Sequence, residues 1–247
     1  MKKIRSAMVF VSFFVFGCGA ILLNFLVFPF IKNNKYLCSD IIHLTWKFFV
    51  HFMMFLGLFK LDIKKLSKIE NKIIVATHPS FIDIVILIAL IPRSTCFVKK
   101  ELAHNLIIKN IVNSIFITNE VELEELKTKS KKMLDMGFNV IIFPSGIRHR
   151  KNEYPKIKKG ASLIALNANK NIVPIRFFAN GDFMFINQPF YEVGNKRVIF
   201  EIEQMSEIDI NDFIFDTEIV SKKEITKQIE KSLYGLWYNV FRSCYGY

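Results

Sequence analysis

Acids and cysteines are scarce in this chain, and the cysteines are scattered. Four occur in 247 residues, Cys18, Cys38, Cys96 and Cys244, and no two form a C-x-x-C pair. That signals neither a disulfide framework nor a zinc site, and it fits a reducing compartment. The 22 Asp+Glu are outnumbered by 34 Lys+Arg, for a net charge of +12. A basic surface suits anionic lipid, nucleic acid or an acidic carrier. Nucleic acid is the weakest of the three, because the lysines are dispersed and form neither an aromatic single-strand platform nor a recognition-helix pattern. There is no internal repeat and no linker rich in Pro, Gly or Ser. No Ser or Cys sits in a nucleophile-elbow pattern, so nothing points to a covalent acyl-enzyme.

Apolar residues are abundant. They make up 51% of the chain, with 26 Phe, which points to a membrane surface or a lipid-filled groove. After the basic head Met1–Arg5, Ser6 to Ile31 carries no charge. As a helix it could cross a hydrocarbon core of ~30 Å. It is too long for a cleaved signal peptide and shows no A-x-A site. At Val15-Phe16-Gly17-Cys18, Phe16 is too bulky for a lipoprotein cleavage site, so a retained anchor is expected. A second apolar segment, Ile41 to Leu61, carries His43, Lys47 and His51 at intervals of four. That spacing puts them on one stripe of a helix. The stripe reads as the polar side of an interfacial helix, with Trp46, Phe48, Phe49, Phe52, Met53 and Phe55 in lipid, and not as a metal site. Lys32-Asn33-Asn34-Lys35 links the two segments. Basic residues flank the first segment at both ends, so charge does not orient it. The expectation is a hairpin dipping into one leaflet, with the N-terminus and the following domain on the cytoplasmic side.

Beyond Leu61 strands and helices alternate. Strands are expected at Lys72 to Ala76, Thr95 to Val98, Ile115 to Ile117, Asn139 to Phe143, Ile172 to Phe178 and Arg197 to Glu201. Helices are expected at Phe81 to Ile91, Leu102 to Val112, Glu120 to Met136, Gly160 to Ala168 and Ser221 to Phe241. In the last, Ile225, Ile229, Leu233, Leu236 and Val240 share a packing face. The helix from Glu120 has acids early and lysines late, which complements its dipole, so its charges read as a solvated face. The fold class expected is α/β: a largely parallel sheet flanked by helices, preceded by an apolar helical hairpin for membrane attachment. The domains are 1–61 for the hairpin and 62–247 for the rest.

Chemistry concentrates at the ends of apolar runs. His78-Pro79-Ser80-Phe81-Ile82-Asp83 places an imidazole and a carboxylate five positions apart at a strand-to-helix junction. A carboxylate that holds one ring nitrogen leaves the other free as a base. Three further segments are polar or basic where apolar runs end. These are Phe97-Val98-Lys99-Lys100-Glu101-Leu102, Phe143-Pro144-Ser145-Gly146-Ile147-Arg148-His149-Arg150 and Ile157-Lys158-Lys159-Gly160-Ala161. In open α/β sheets ligands bind beyond the carboxyl ends of strands. His78, Lys100 and Arg148 would meet there as a base and a cationic cradle, with Asp83 orienting the base. Each basic cluster taken alone reads as solvated surface.

In order along the chain, five blocks resemble the 1-acylglycerol-3-phosphate acyltransferase family of glycerolipid acyltransferases. His78 to Asp83 matches its H-x-x-x-x-D block, and Val98 to Leu102 its K-K-E-L-like block. Ser114-Ile115-Phe116-Ile117 resembles G-x-x-F-I-x-R. Phe143 to Arg148 resembles F-P-E-G-T-R. Lys159-Gly160-Ala161 and Ile172-Val173-Pro174-Ile175 match the helix start and V-P-I block that follow. The resemblance implies an O-acyltransferase in which His78 is the base and Asp83 its orienter. Lys100, Ser145, Gly146, Arg148, Lys159 and Pro174 would contribute to substrate binding, and no metal or cofactor is needed. Oxyanion donors are expected from the Val173-Pro174-Ile175 turn or the helix after His78. The implied partners are acyl-CoA or acyl carrier protein as donor, a lipid acceptor and a membrane, with no nucleic acid. The implied place is a bacterial inner membrane, with the catalytic domain on the cytoplasmic side. The chain departs from the family at Thr118-Asn119-Glu120, where an Arg is usual. It also has Ser145 for the usual Glu and Ile147 for Thr. The alternative is a catalytically lapsed, membrane lipid-binding protein of the same fold.

Overall fold

Short runs that are buried on both faces set the architecture. Strands β2 (Ile73–Ala76) and β5 (Asn139–Ile142) are buried along their whole length, so the sheet they form must be covered on both sides. The computed structural model describes residues 2–119, 122–149, 153–181, 183–184, 189, 191, 193–214 and 218–235. Within it, β1 (Phe59–Lys65), β3 (Ser94–Val98), β4 (Ile117–Thr118), β6 (Ile172–Ala179) and β7 (Val198–Gln204) join β2 and β5 in a sheet of order β1-β7-β6-β2-β5-β3-β4. The five strands from β6 to β4 are mutually parallel. The pair β1 and β7 runs the other way, through the antiparallel β6–β7 ladder.

Alternate residues feed two cores. Ile74, Ala76, Ile141, Val173 and Ile175 pack toward helices α1 (Lys2–Leu26), α2 (Phe28–Ile31), α3 (Lys35–Phe55) and α4 (Asp83–Leu90). Ile73, Val75, Val140, Ile142 and Ile172 pack toward α7 (Leu123–Asp135), α8 (Gly160–Ala168) and α9 (Glu218–Tyr234). Two-residue periodicity in a strand makes that division automatic. Six of the eight residues of α4 are buried, because it lies between the sheet and α3. His43 Nδ1 of α3 lies 2.8 Å from the Ile88 carbonyl of α4.

Helix α1 is fastened at both ends. The Arg5 guanidinium donates to the carbonyls of Gly57, Leu58, Gly194 and Lys196, at 3.0–3.2 Å. Asn24, fully buried, donates from Nδ2 to the Leu106 carbonyl, and its Oδ1 accepts the Asn110 amide at 2.8 Å. Gly57 and Gly194 precede β1 and β7, and the antiparallel pairing puts their starting ends level with the carboxyl ends of the other strands. The helix therefore runs along the carboxyl edge of the sheet. Arg5 and Asn24 are about 28 Å apart at 1.5 Å per residue, close to the ~29 Å width of seven strands at ~4.8 Å spacing. Its outward residues Ile4, Phe10, Val11, Phe14, Val15, Ile21, Leu22, Phe25 and Leu26 are exposed and apolar.

The structure bears out the α/β class and the largely parallel sheet, and it corrects several boundaries. Ile41 to Leu61 is not one helical segment: α3 ends at Phe55, and Phe59 begins β1, so the 61/62 boundary falls inside a strand. The expected helix Leu102 to Val112 is two, α5 (Lys100–His104) and α6 (Lys109–Ile115). Asn105 breaks it by accepting the Ile107 amide on its side chain, a local bond that competes with the helix. Ile115 closes α6, and β4 begins only at Ile117. The expected helix positions Glu120, Leu236, Val240 and Phe241 lie outside the described residues, as do Arg150 and Cys244.

Candidate active site

The carboxyl end of β2 sets the site. After Ala76 the chain is held by Thr77, whose Oγ donates to the Phe177 carbonyl at 2.6 Å and accepts the Phe177 amide at 2.7 Å. His78 follows, with its ring stacked on Phe143 at the end of β5, 4.2 Å between centroids and 16° between planes. Its Nδ1 lies 2.8 Å from Asp83 Oδ2. A carboxylate only accepts, so Nδ1 carries the proton and Nε2 presents its lone pair. Asp83 is the first residue of α4 and is fully buried, while the His78 side chain is 22% exposed. Asp83 also accepts the Ser80 and Ile84 amides, at 3.1 and 2.9 Å. The pair is therefore a fixed, buried carboxylate and a partly open imidazole.

The second wall is the turn after β5. Ser145 Oγ donates to the Ile147 carbonyl at 2.9 Å, and the Gly146 amide donates to the Phe143 carbonyl. Gly146 has φ +70°, and a Cβ there would lie 2.9 Å from Lys158 Nζ. The flexible lysine end could give way, so the positive φ is what favours glycine here. The turn is tied to the His78–Asp83 loop at two points. The His149 amide donates to the His78 carbonyl. Arg148 Nη1 donates to the Met184 carbonyl at 3.1 Å, and the same carbonyl accepts the Phe81 amide. Met184 holds φ +54°, a costly conformation for a non-glycine residue. Its carbonyl links Arg148 to the His78–Asp83 loop, and no sequence signal marked it.

The parallel strands bring most of the expected residues to one edge. His78, Asp83, Ser145, Gly146 and Arg148 form one cluster. Lys100 opens α5 at the end of β3, two strands from β2, and the Asn119 amide donates to the Val98 carbonyl beside it. Lys159 is the N-cap residue of α8 and exposed. The lysine drawn against the turn is instead Lys158, whose amide donates to the Pro144 carbonyl. Pro174 is buried within β6 opposite Val75, not in a turn. The amides expected to face an oxyanion are largely engaged. Those of Ser80, Phe81, Ile82 and Ile84 are all bonded within or beside the loop. Burial pushes the Cys96 thiol up to about 12, so it is no nucleophile at neutral pH. Among the described residues there is no cluster of metal-ligating side chains.

Residues 60–177, from β1 into β6, match the family profile described as Acyltransferase. This segment, just under half of the chain, is similar to that family. Over 118 residues the chain is 32% identical to a 1-acyl-sn-glycerol-3-phosphate acyltransferase of Chlamydomonas reinhardtii, a match covering 44% of this chain and 35% of that protein. The chain thus spans about a third of that relative's length. The crystal structure of PlsC, the 1-acyl-sn-glycerophosphate (LPA) acyltransferase of Thermotoga maritima, superposes with a TM-score of 0.63 at 18% identity, covering 96% of this chain and 99% of that one. At that identity the likeness concerns the fold. The matched segment holds His78, Asp83, Lys100, Ser145, Gly146, Arg148, Lys159 and Pro174.

Proposed function

We propose that the chain is a membrane-bound O-acyltransferase that moves a fatty acyl group from acyl-CoA or acyl carrier protein to a lipid hydroxyl. The observation that carries this is the His78–Asp83 pair at the open edge of the sheet, 2.8 Å apart with the carboxylate buried. His78 Nε2 takes the proton of the acceptor hydroxyl while Asp83 holds the ring and supports the imidazolium. The acceptor oxygen attacks the thioester carbonyl. The C–S bond then breaks, and the proton passes from the imidazolium to the leaving thiolate. Arg148, Lys100 and Lys158 supply cations for phosphate on either substrate. Ser145 and Gly146 serve through the shape of their turn.

A cavity of about 650 Å³ between α1 and α3, walled by Phe16, Leu23, Trp46, Phe49 and Ile111 among others, has the size and apolar lining of a ligand pocket. No catalytic residue lines it, so it suits an acyl tail and not the reacting carbonyl. The two polar clamps on α1 favour a helix lying on one leaflet, because a spanning helix could not keep both ends on one domain. We place that leaflet on the cytoplasmic side of a bacterial inner membrane, where the basic surface meets anionic lipid. A protein beginning at Asp62 is expected to lose vesicle binding and to aggregate. It lacks Ile42, Phe49, Val50 and Met53, which are buried in the core, and the first residues of β1. A soluble, monomeric and fully active fragment would reduce residues 1–61 to a tether.

The acceptor is expected to differ from lysophosphatidate. Ser145 turns its hydroxyl into its own loop and is 5% exposed, and exposed Asn119 stands near the family's usual Arg. A missing charge-assisted bond costs ~1.5–3 kcal/mol, or roughly ten- to a hundredfold in kcat/KM. Purified protein with labelled acyl thioesters and a panel of lysolipids and hydroxyacyl lipids tests both claims. Transfer to some member, with lysophosphatidate well below the best, is the expected result. Lysophosphatidate as the clear favourite would refute the acceptor reading, and no transfer to any acceptor would refute the enzyme reading.

A further inference from the structure

The turn between α5 and α6 exposes what a turn ordinarily hides. Leu106 is 66% exposed and Ile107 49%, and Leu102 on the preceding helix is 38% exposed. The tip of a surface loop is usually polar, and adjacent exposed apolar residues call for a partner. The backbone shows that this is a built feature. Asn105 Oδ1 accepts the Ile107 amide, and Asn24 Nδ2 takes the Leu106 carbonyl. Asn24 Oδ1 accepts the Asn110 amide, and the Asn110 side chain returns a bond to the Asn24 carbonyl at 2.9 Å. The buried amide of α1 thus caps the start of α6 in place of a local residue, and it fixes the turn with both apolar side chains outward.

Two neighbours say what covers them. Phe25 and Leu26, next to Asn24 on α1, are 53% and 65% exposed, so the turn extends the apolar outer stripe of that helix. Lys99, Lys100 and Lys109 flank it against a single acid, Glu101. Apolar tips framed by lysines fit the boundary between acyl chains and anionic headgroups. The turn follows the carboxyl end of β3, on the edge that carries His78.

We infer that Leu102, Leu106 and Ile107 form a second lipid-contact element, a lip that inserts into an anionic leaflet beside α1 and sets the catalytic edge against the bilayer. The inference rests on the proposed function for its purpose but not for its measurement. The full-length protein is titrated with phosphatidylcholine vesicles, with and without phosphatidylglycerol. Activity is then measured with a vesicle-embedded lysolipid and with a short-chain, water-soluble one. Leu106→Asp/Ile107→Asp is expected to lower vesicle partition at least tenfold, chiefly for anionic vesicles. It should lower kcat/KM for the embedded acceptor by a similar factor and leave the soluble acceptor within about twofold. The fastening bonds come from the backbone at 106 and 107, so thermal unfolding in detergent should not change. Leu106→Trp/Ile107→Trp should strengthen partition, since tryptophan favours the interface. Unchanged partition in both variants overturns the lip. A higher KM for an acyl-carrier-protein donor with unchanged partition also overturns it, by making the surface a protein dock. If the wild-type protein transfers no acyl group, the partition measurement still decides the lip while the proposed function fails separately.

Discussion

His78→Ala is expected to lower kcat roughly 10²- to 10⁴-fold, the range a positioned general base contributes. The fold should survive. The ring is partly exposed, and its polar contact is with Asp83, which keeps the Ser80 and Ile84 amides as donors when the ring is gone. The stack on Phe143 is lost, at a cost of about 1 kcal/mol. Activity and thermal unfolding should therefore separate. Wild-type turnover in the variant would remove His78 from the mechanism, and loss of the folded state would make it a structural residue.

Asp83→Asn is expected to be nearly as damaging to rate and more damaging to stability. Oδ2 of Asp83 faces two donors, the His78 ring and the Ser80 amide, while Oδ1 faces the Ile84 amide. An asparagine must turn its NH2 toward one side. Facing the ring, it makes Nδ1 an acceptor and moves the proton to Nε2, which can then take no proton from a substrate. A comparable exchange in a hydrolase triad costs ~10⁴-fold. Because the residue is fully buried, the mismatched amide adds about 1–3 kcal/mol of instability. Steady-state rates together with denaturant titration check both parts. A variant with ordinary turnover would mean that the carboxylate braces the loop and does not serve the base.

The legible parts of this protein are those that depend on local pattern. Ile73–Ala76 and Asn139–Ile142 are short apolar runs after polar residues, and they became central parallel strands. His78 and Asp83 were legible because five positions span a strand end and the first residue of a helix. Their approach to 2.8 Å needs no distant element. The hidden parts depend on distant partners. The start of β1 was hidden in an apolar run, and what makes it a strand is its ladder with β7, more than a hundred residues later. The local bond of Asn105 breaks the helix, but the turn beyond it is fixed by Asn24, whose polarity in an apolar helix signals nothing until it meets the Leu106 carbonyl and the Asn110 amide. Lys158 and Lys159 are equivalent as letters, and the bond from the Lys158 amide to the Pro144 carbonyl decides which one sits on the turn. Met184 contributes only a carbonyl and a left-handed backbone, which no side-chain pattern records.

The central claim is that His78 drives transfer of an acyl group from a thioester to a lipid hydroxyl. The most direct measurement follows a labelled acyl thioester in two preparations of the protein reconstituted with lipid, wild type and His78→Ala, and counts thiol released against label recovered on lipid. The account predicts equimolar thiol and acyl-lipid in the wild type, with both falling together by at least a hundredfold in the variant. Lipid binding without thiol release in the wild type, or equal transfer by the two proteins, would contradict it and leave a lipid-binding protein of the same fold.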